Sequence, residues 1–200
     1  MKAFYYILFV AITIAAINFS SKLVPSNTVS EAAEDADLLI ANSRLYAKEH
    51  AYERSLHQLD LAIRTIQDIE QNLDEDSKKT IDKAVRELEF VHEEISKHQL
   101  KNMDMNHAYT KTMNALTYAE LKITEHFIET DDYHEAMAAL KSGMIHIENA
   151  LKFVDGGHKE YELQIYAEID SLLEHPELGK EEVVKELEKM LKELNTLVED

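Results

Sequence analysis

The chain has 200 residues, and its 21 Lys and Arg against 39 Asp and Glu give a formal charge of −18 at pH 7 with histidine neutral. Phosphate recognition needs a cationic footprint, so this balance argues against nucleic-acid binding. Four Gly, two Pro, no Cys and no Trp, with 45% apolar and 30% charged residues, suit a folded helical protein and make sandwiches, barrels and collagen-like repeats poor fits. Without cysteine there is no disulfide, no thiolate metal site, no cysteine nucleophile and no acylated cysteine.

Residues 1–26 read as a signal peptide or N-terminal anchor: Lys2 is followed by a run from Ala3 to Ile17 without a charged side chain. At 1.5 Å per residue this run covers about 22 Å, short of the ~30 Å hydrocarbon core, which favours secretion with cleavage over a spanning anchor. No Ala-x-Ala follows the run, and the best small-residue pair, Val24 and Ser26, flanks Pro25, so an uncleaved anchor is the alternative. In both cases the remainder is expected to be exported, periplasmic or held at the outer face of the inner membrane, with the membrane touched only through this segment.

Residues 30–200 predict a single all-α domain, a bundle of about seven antiparallel amphipathic helices, because apolar residues recur at i, i+3, i+4 and i+7 almost throughout. A first helix is expected from about Val29 to Lys48, with Ser30 as N-cap. A second covers about Tyr52 to Leu73 on the stripe Leu56, Leu59, Ile63, Ile66 and Ile69. Asp74-Glu75-Asp76-Ser77 opens a third, whose stripe Ile81, Val85, Leu88, Val91 and Ile95 runs to about Lys97. Leu100 to Asn106 reads as a connector. A fourth helix is expected over His107–Glu129 and a fifth over Tyr133–Val154, closed by Asp155-Gly156-Gly157. A sixth covers Lys159–Glu174 and stops at His175-Pro176. The seventh covers Lys180–Val198, with a wide apolar face on Val184, Leu187, Leu191, Leu194 and Val198 that is expected to pack within its own bundle. Self-association through that face, giving a homo-oligomer, is the minor alternative.

Sliding the chain by 81 residues aligns Tyr46 with Phe127, Tyr52 with Tyr133, Leu59 with Leu140, Ala62 with Gly143, Ile66 with Ile147, Leu88 with Ile169 and Val91 with Leu172. A repeated buried face explains these matches, which predicts two related three-helix units over 30–100 and 105–175 followed by a terminal helix over 179–198.

The turns Tyr46-Ala-Lys-Glu-His-Ala-Tyr52 and Phe127-Ile-Glu-Thr-Asp-Asp-Tyr133 each place an aromatic six residues before a tyrosine. The second continues His134-Glu-Ala136-Met-Ala-Ala-Leu140-Lys-Ser-Gly143, and it resembles the core of a tetratricopeptide hairpin. In that resemblance Ala136 and Gly143 hold the small positions, Leu140 the large one between them, and Tyr133 packs across the turn. The first copy departs from this pattern with Ser55 and Ala62 in the small positions, and the spacing of 81 is not the 34-residue tetratricopeptide period. Together with the export signal, the hairpin from Phe127 to Ala150 resembles the YfdX family of bacterial envelope proteins. That resemblance implies a periplasmic, helical, oligomeric protein linked to stress or resistance responses, without an assigned enzymatic activity, and it transfers no catalytic residue.

Candidate chemistry is sparse. Glu89-x-x-His92 has the spacing of a di-iron helix motif, but its counterpart Asp104-x-x-His107 starts at the connector. Met103, Met105 and His107, with Met113 two turns on, offer thioether and imidazole ligands suited to Cu(I) or Ag(I). A periplasmic soft-metal binder is therefore the alternative function. The other histidines, including His50, His57, His134 and His158, are expected in solvent. Gly-x-Ser-x-Gly, a phosphate-cradling glycine loop and His-Glu-x-x-His are all absent from the sequence, so neither an enzyme nor a bound cofactor is expected, nor any convergence of carboxylates and imidazoles inside the fold. The leading function is a non-catalytic binding or interaction role in the bacterial envelope, for a protein or small-molecule partner. Tyr46, Tyr52, Tyr118, Tyr133 and Tyr166 are the expected lining of a groove between the two units, or ordinary turn packing.

Overall fold

Long amphipathic segments with few glycines and prolines have one economical solution, helices laid side by side with their stripes inward. A computed structural model of the chain describes residues 26–99, 101–154 and 158–199, and the N-terminal apolar run and Asp155-Gly156-Gly157 lie outside these described residues. Among the described residues there are seven helices and no strand: α1 Ser26–Lys48, α2 Tyr52–Glu70, α3 Glu75–Ser96, α4 Asn102–Glu129, α5 Tyr133–Ala150, α6 Lys159–Glu174 and α7 Lys180–Glu199. None of them is long and apolar enough to cross a membrane.

Two predicted boundaries need correction. α1 begins before Ser30, so Ser30 is not an N-cap; its buried hydroxyl instead donates to Glu120 Oε1 at 3.0 Å across the bundle. The expected connector from Leu100 to Asn106 is shorter, because α4 already starts at Asn102. α3 ends abruptly on His98 at φ 55°, with Gln99 N donating to Glu94 O at 2.9 Å. That tight left-handed stop leaves the chain free to re-enter a helix at once and bury Met105. By contrast, Asp74 caps α3 as expected, its carboxylate accepting from Asp76 N at 2.9 Å and Ser77 N at 3.1 Å.

Two helix ends 81 residues apart share their backbone geometry. His50 and Asp131 occupy equivalent positions, and both adopt the left-handed conformation, at φ 60° and 62°. Ala51 N donates to Tyr46 O at 2.8 Å, and the equivalent Asp132 N donates to Phe127 O at 2.9 Å. The same corner also ends α3, at His98 and Gln99, so this backbone-bonded stop recurs at three helix ends with different side chains.

α4 is the centre of the bundle, touching α1, α3, α5 and α7. Every residue from Ala108 to Thr117 is buried. α7 covers α4 through Val183, Leu187, Met190, Leu191, Leu194 and Val198, all buried, so its wide apolar face is used inside the chain. Fully buried Leu59, Ile66, Leu88, Ile95, Leu140, Ile147 and Ile169 fill the seams, each contributing roughly 1.5–3 kcal/mol by leaving water.

The α4–α5 seam uses small residues, Ala136, Ala139, Gly143 and Ala150. A Cβ at Gly143 would meet Glu120 Cβ at 3.5 Å, Leu121 Cδ2 at 3.7 Å and Thr117 Cγ2 at 3.9 Å, which is ordinary contact. The equivalent position in the first copy already carries Ala62, fully buried. Gly143→Ala is therefore expected to stabilise the chain by about 0.5–1 kcal/mol through helix propensity, read as a rise in urea midpoint; a fall would mean that the seam has no room for a methyl group.

Candidate functional site

α4 carries an unusual load of buried polar side chains for a central helix: Thr110, Lys111, Thr112, Asn114, Thr117, Glu120 and Thr124. Most are satisfied locally or by a neighbour. Thr112 donates to Ala108 O at 2.8 Å, Thr117 to Met113 O at 2.9 Å and Thr124 to Glu120 O at 2.8 Å, the back-bonding that lets a threonine sit inside a helix. Lys111 Nζ reaches Glu87 of α3 at 3.3 Å. Thr110 breaks the pattern, since its hydroxyl has no partner.

Thr110 lines a cavity of about 160 Å³ enclosed by α4, the end of α5, the start of α6 and the last turn of α7. Its apolar wall is Phe153, Val154 and Leu197, its polar wall is Asn106, Thr110, Lys111, Asn114 and Glu162, and His107 and His158, both exposed, stand at its mouth. Asn114 Nδ2 donates to Glu162 Oε1 at 3.0 Å. The second oxygen of each group, Asn114 Oδ1 and Glu162 Oε2, is buried without a hydrogen-bond partner, as is Thr110 Oγ1. Burial raises the Glu162 carboxyl above its ordinary range, with the Asn114 hydrogen bond and then His158 pulling the other way. Two orphaned acceptors and one orphaned hydroxyl at one concavity are costly, each unmade bond amounting to about 1–3 kcal/mol.

The first copy provides an internal comparison. In the 81-residue register Thr110, Asn114 and Glu162 correspond to Val29, Ala33 and Ile81, all buried and apolar. Positions 81 residues apart thus carry apolar side chains in the first half and polar ones in the second.

A second, more open groove of about 400 Å³ runs between α3, α4 and α7. Four of its five charged side chains pair, Lys79 with Asp76 at 3.1 Å and Lys83 with Glu199 at 2.9 Å, leaving Lys192, and none of its lining residues carries an orphaned buried atom. Of the five singled-out tyrosines, Tyr118 alone lines it. Tyr46 lies under Arg54, and Tyr52 accompanies His50 and His98 at the α1–α2 corner. Tyr133 is largely exposed, and Tyr166 packs against the core from α6. The structure does not gather them into one site. Tyr109, outside that set, is fully buried, donates to Ser43 Oγ at 3.1 Å and has its hydroxyl pushed up to about 12 by burial.

The soft-metal residues are also separated. Met105 is buried in the core while His107 is exposed at the cavity mouth, as expected for positions two apart on a helix, about 200° around its axis; the Met103 side chain lies outside the described residues. His92 pairs with Asp60 at 3.2 Å on the surface. Among the described residues, no group of three or more His, Asp or Glu is placed to hold a metal ion.

The expectation that carboxylates and imidazoles do not meet inside the fold fails. His146 Nδ1 lies 2.8 Å from Asp37 Oδ2, Asn149 Nδ2 donates to the same oxygen at 2.6 Å, and Glu120 on α4 faces the pair. Asp37 Oδ1, His146 Nε2 and Glu120 Oε2 have no partner. These side chains do not line the cavity, and all three are buried. Proton transfer to a substrate needs contact within hydrogen-bond reach, so the cluster acts on the fold, joining α1, α4 and α5.

Compared with family models, curated proteins and solved structures, the chain matches none of them.

Proposed function

We propose that the chain is an exported, non-catalytic binding protein of the bacterial envelope that holds a small molecule in the cavity beside α4. The observation that carries this reading is the replacement, in the second unit only, of Val29, Ala33 and Ile81 by Thr110, Asn114 and Glu162, with one oxygen of each left unpaired at a concavity. Structural economy would have kept the apolar set, so the cost of the polar set points to a ligand that completes it. Export rests on Lys2 and the uncharged run Ala3–Ile17. The stress-related role rests on the resemblance of the Phe127–Ala150 hairpin to the YfdX family.

Two measurements test the reading together. Expressed in a bacterium, the chain should be digested by protease added outside the inner membrane; full protection until the cytoplasm is opened would remove the export claim. Screened as the purified full-length chain against neutral, cationic and anionic fragments of up to about ten heavy atoms, a size matched to the cavity, it should gain thermal stability with some of them. Val154→Phe, which fills the cavity wall, should lose that gain. A screen without any stabilising fragment, or stabilisation that survives Val154→Phe, would remove the binding claim.

A further inference from the structure

The donors that line the cavity are engaged or lie at its unburied edge: Lys111 is held by Glu87, Asn114 Nδ2 by Glu162, and Asn106, His107 and His158 are not buried. Glu162 Oε2, Asn114 Oδ1 and Thr110 Oγ1 can all accept, and the described residues supply no donor to any of them. Glu162 forms no ion pair among the described residues, and Lys111, which lines the same cavity, is engaged by Glu87 at 3.3 Å. The opposite wall, Phe153, Val154 and Leu197, offers only carbon. An occupant that answers both walls has several N–H donors and a positive charge at one end and a short hydrocarbon at the other.

Resting on the binding role above, we propose that this cavity takes a compact primary ammonium ion on a short apolar chain, with Glu162 as its counterion and Asn114 and Thr110 as its two further acceptors. An ammonium head has three N–H groups for three orphaned oxygens. Size agrees: an apolar protein cavity of about 150 Å³ is known to hold one benzene, six heavy atoms, and this one is about 160 Å³. The field of the whole molecule agrees too, since a chain at −18 concentrates cations and repels anions. A buried carboxylate that meets a cation on ligand entry regains the charged state that desolvation disfavours.

The test is calorimetric titration of the full-length chain at about pH 8, where ordinary imidazoles are neutral, with n-butylamine, butan-1-ol as its neutral isostere and butyrate as its anionic counterpart. The amine should bind at least about tenfold tighter than the alcohol, and butyrate should not bind. Glu162→Gln, which keeps an acceptor for Asn114 and removes only the charge, should weaken the amine about tenfold or more and leave the alcohol unchanged. Thr110→Val, of equal volume, should weaken the amine several-fold. Alcohol or butyrate binding as tightly as the amine, or amine binding indifferent to Glu162→Gln, would overturn the ammonium assignment while leaving the cavity a binding site. No heat from any of the three would overturn it as well, and the broader fragment screen decides separately whether the binding role falls with it. Unchanged far-ultraviolet circular dichroism of both variants guards against loss of fold as the cause.

Discussion

Asp37→Ala is expected to be among the most damaging single substitutions in the bundle, costing about 3–5 kcal/mol, because it leaves a fully buried imidazole and a half-buried amide without their acceptor. His146 Nδ1 and Asn149 Nδ2 both depend on Asp37 Oδ2, at 2.8 Å and 2.6 Å. The aspartate is also the charge that overcomes desolvation at His146: burial pushes that imidazole down, and Asp37, with Glu120 and Glu34 behind it, carries it above its ordinary value. The contact joins α1 to α5 across 109 residues of sequence, so its loss frees a whole helix rather than a surface pair. For a chain of this size the cost corresponds to roughly 10 °C in melting temperature. Asp37→Asn keeps an acceptor for the imidazole and gives up only the charge, and it should cost clearly less. Urea unfolding followed by circular dichroism reads both, and an Asp37→Ala variant within 1 kcal/mol of the parent, well below the expected range, would show that α1 does not depend on this contact.

Why that contact was hidden in the sequence, when the helices were not, is a matter of which side of each helix carries the apolar residues. α2, α3 and α7 follow the simple rule, with Leu59, Ile66, Leu88, Ile95, Leu187 and Leu194 inside, and their predicted and observed spans agree within a few residues. α1 inverts the rule: Leu38 and Leu45 are 61% and 52% exposed while Asp37 and Ser43 are buried. α4 is buried from Ala108 to Thr117 on all sides, and a helix without a solvent face shows no stripe to read. His146 could have been placed inside, because Ala139, Gly143, His146 and Ala150 follow the three-and-four spacing of the packed face of α5. An imidazole flanked by small residues at that spacing signals a buried partner rather than a solvated side chain. The cavity was less accessible still. It draws on helices separated by the full length of a unit, and the clue to it, the polar replacement of Val29, Ala33 and Ile81, becomes visible only when the 81-residue register is applied to buried positions.

The second large effect is a dependence of stability on pH that one carboxyl controls. Glu120 is buried, accepts from Ser30 Oγ at 3.0 Å, and is pushed up to about 7 by desolvation, with the His146 charge and the Ser30 bond opposing and Glu34 adding to the rise. A carboxyl raised in the native state binds its proton more tightly there than in the unfolded chain. Its contribution is fully present below about pH 4.5 and is lost as pH rises through about 7. His146, also raised, acts in the same direction one step higher, its contribution complete below 6.5 and fading as pH climbs past its native value. The shift of Glu120 sets an upper bound of about 3 kcal/mol lost between pH 4.5 and 8. Glutamine is the uncharged isostere of the protonated acid, so Glu120→Gln should match the parent near pH 4.5. As pH rises it should become the more stable of the two, by about 1–3 kcal/mol at pH 8, the lower figure allowing for the ion-pair support it withdraws from His146. The other acids titrate equally in both chains and cancel in the difference. Urea midpoints of parent and variant at several pH values provide the measurement. A difference constant from pH 4.5 to 8 would mean that Glu120 stays ionised throughout, which the low-dielectric seam between α1, α4 and α5 does not permit.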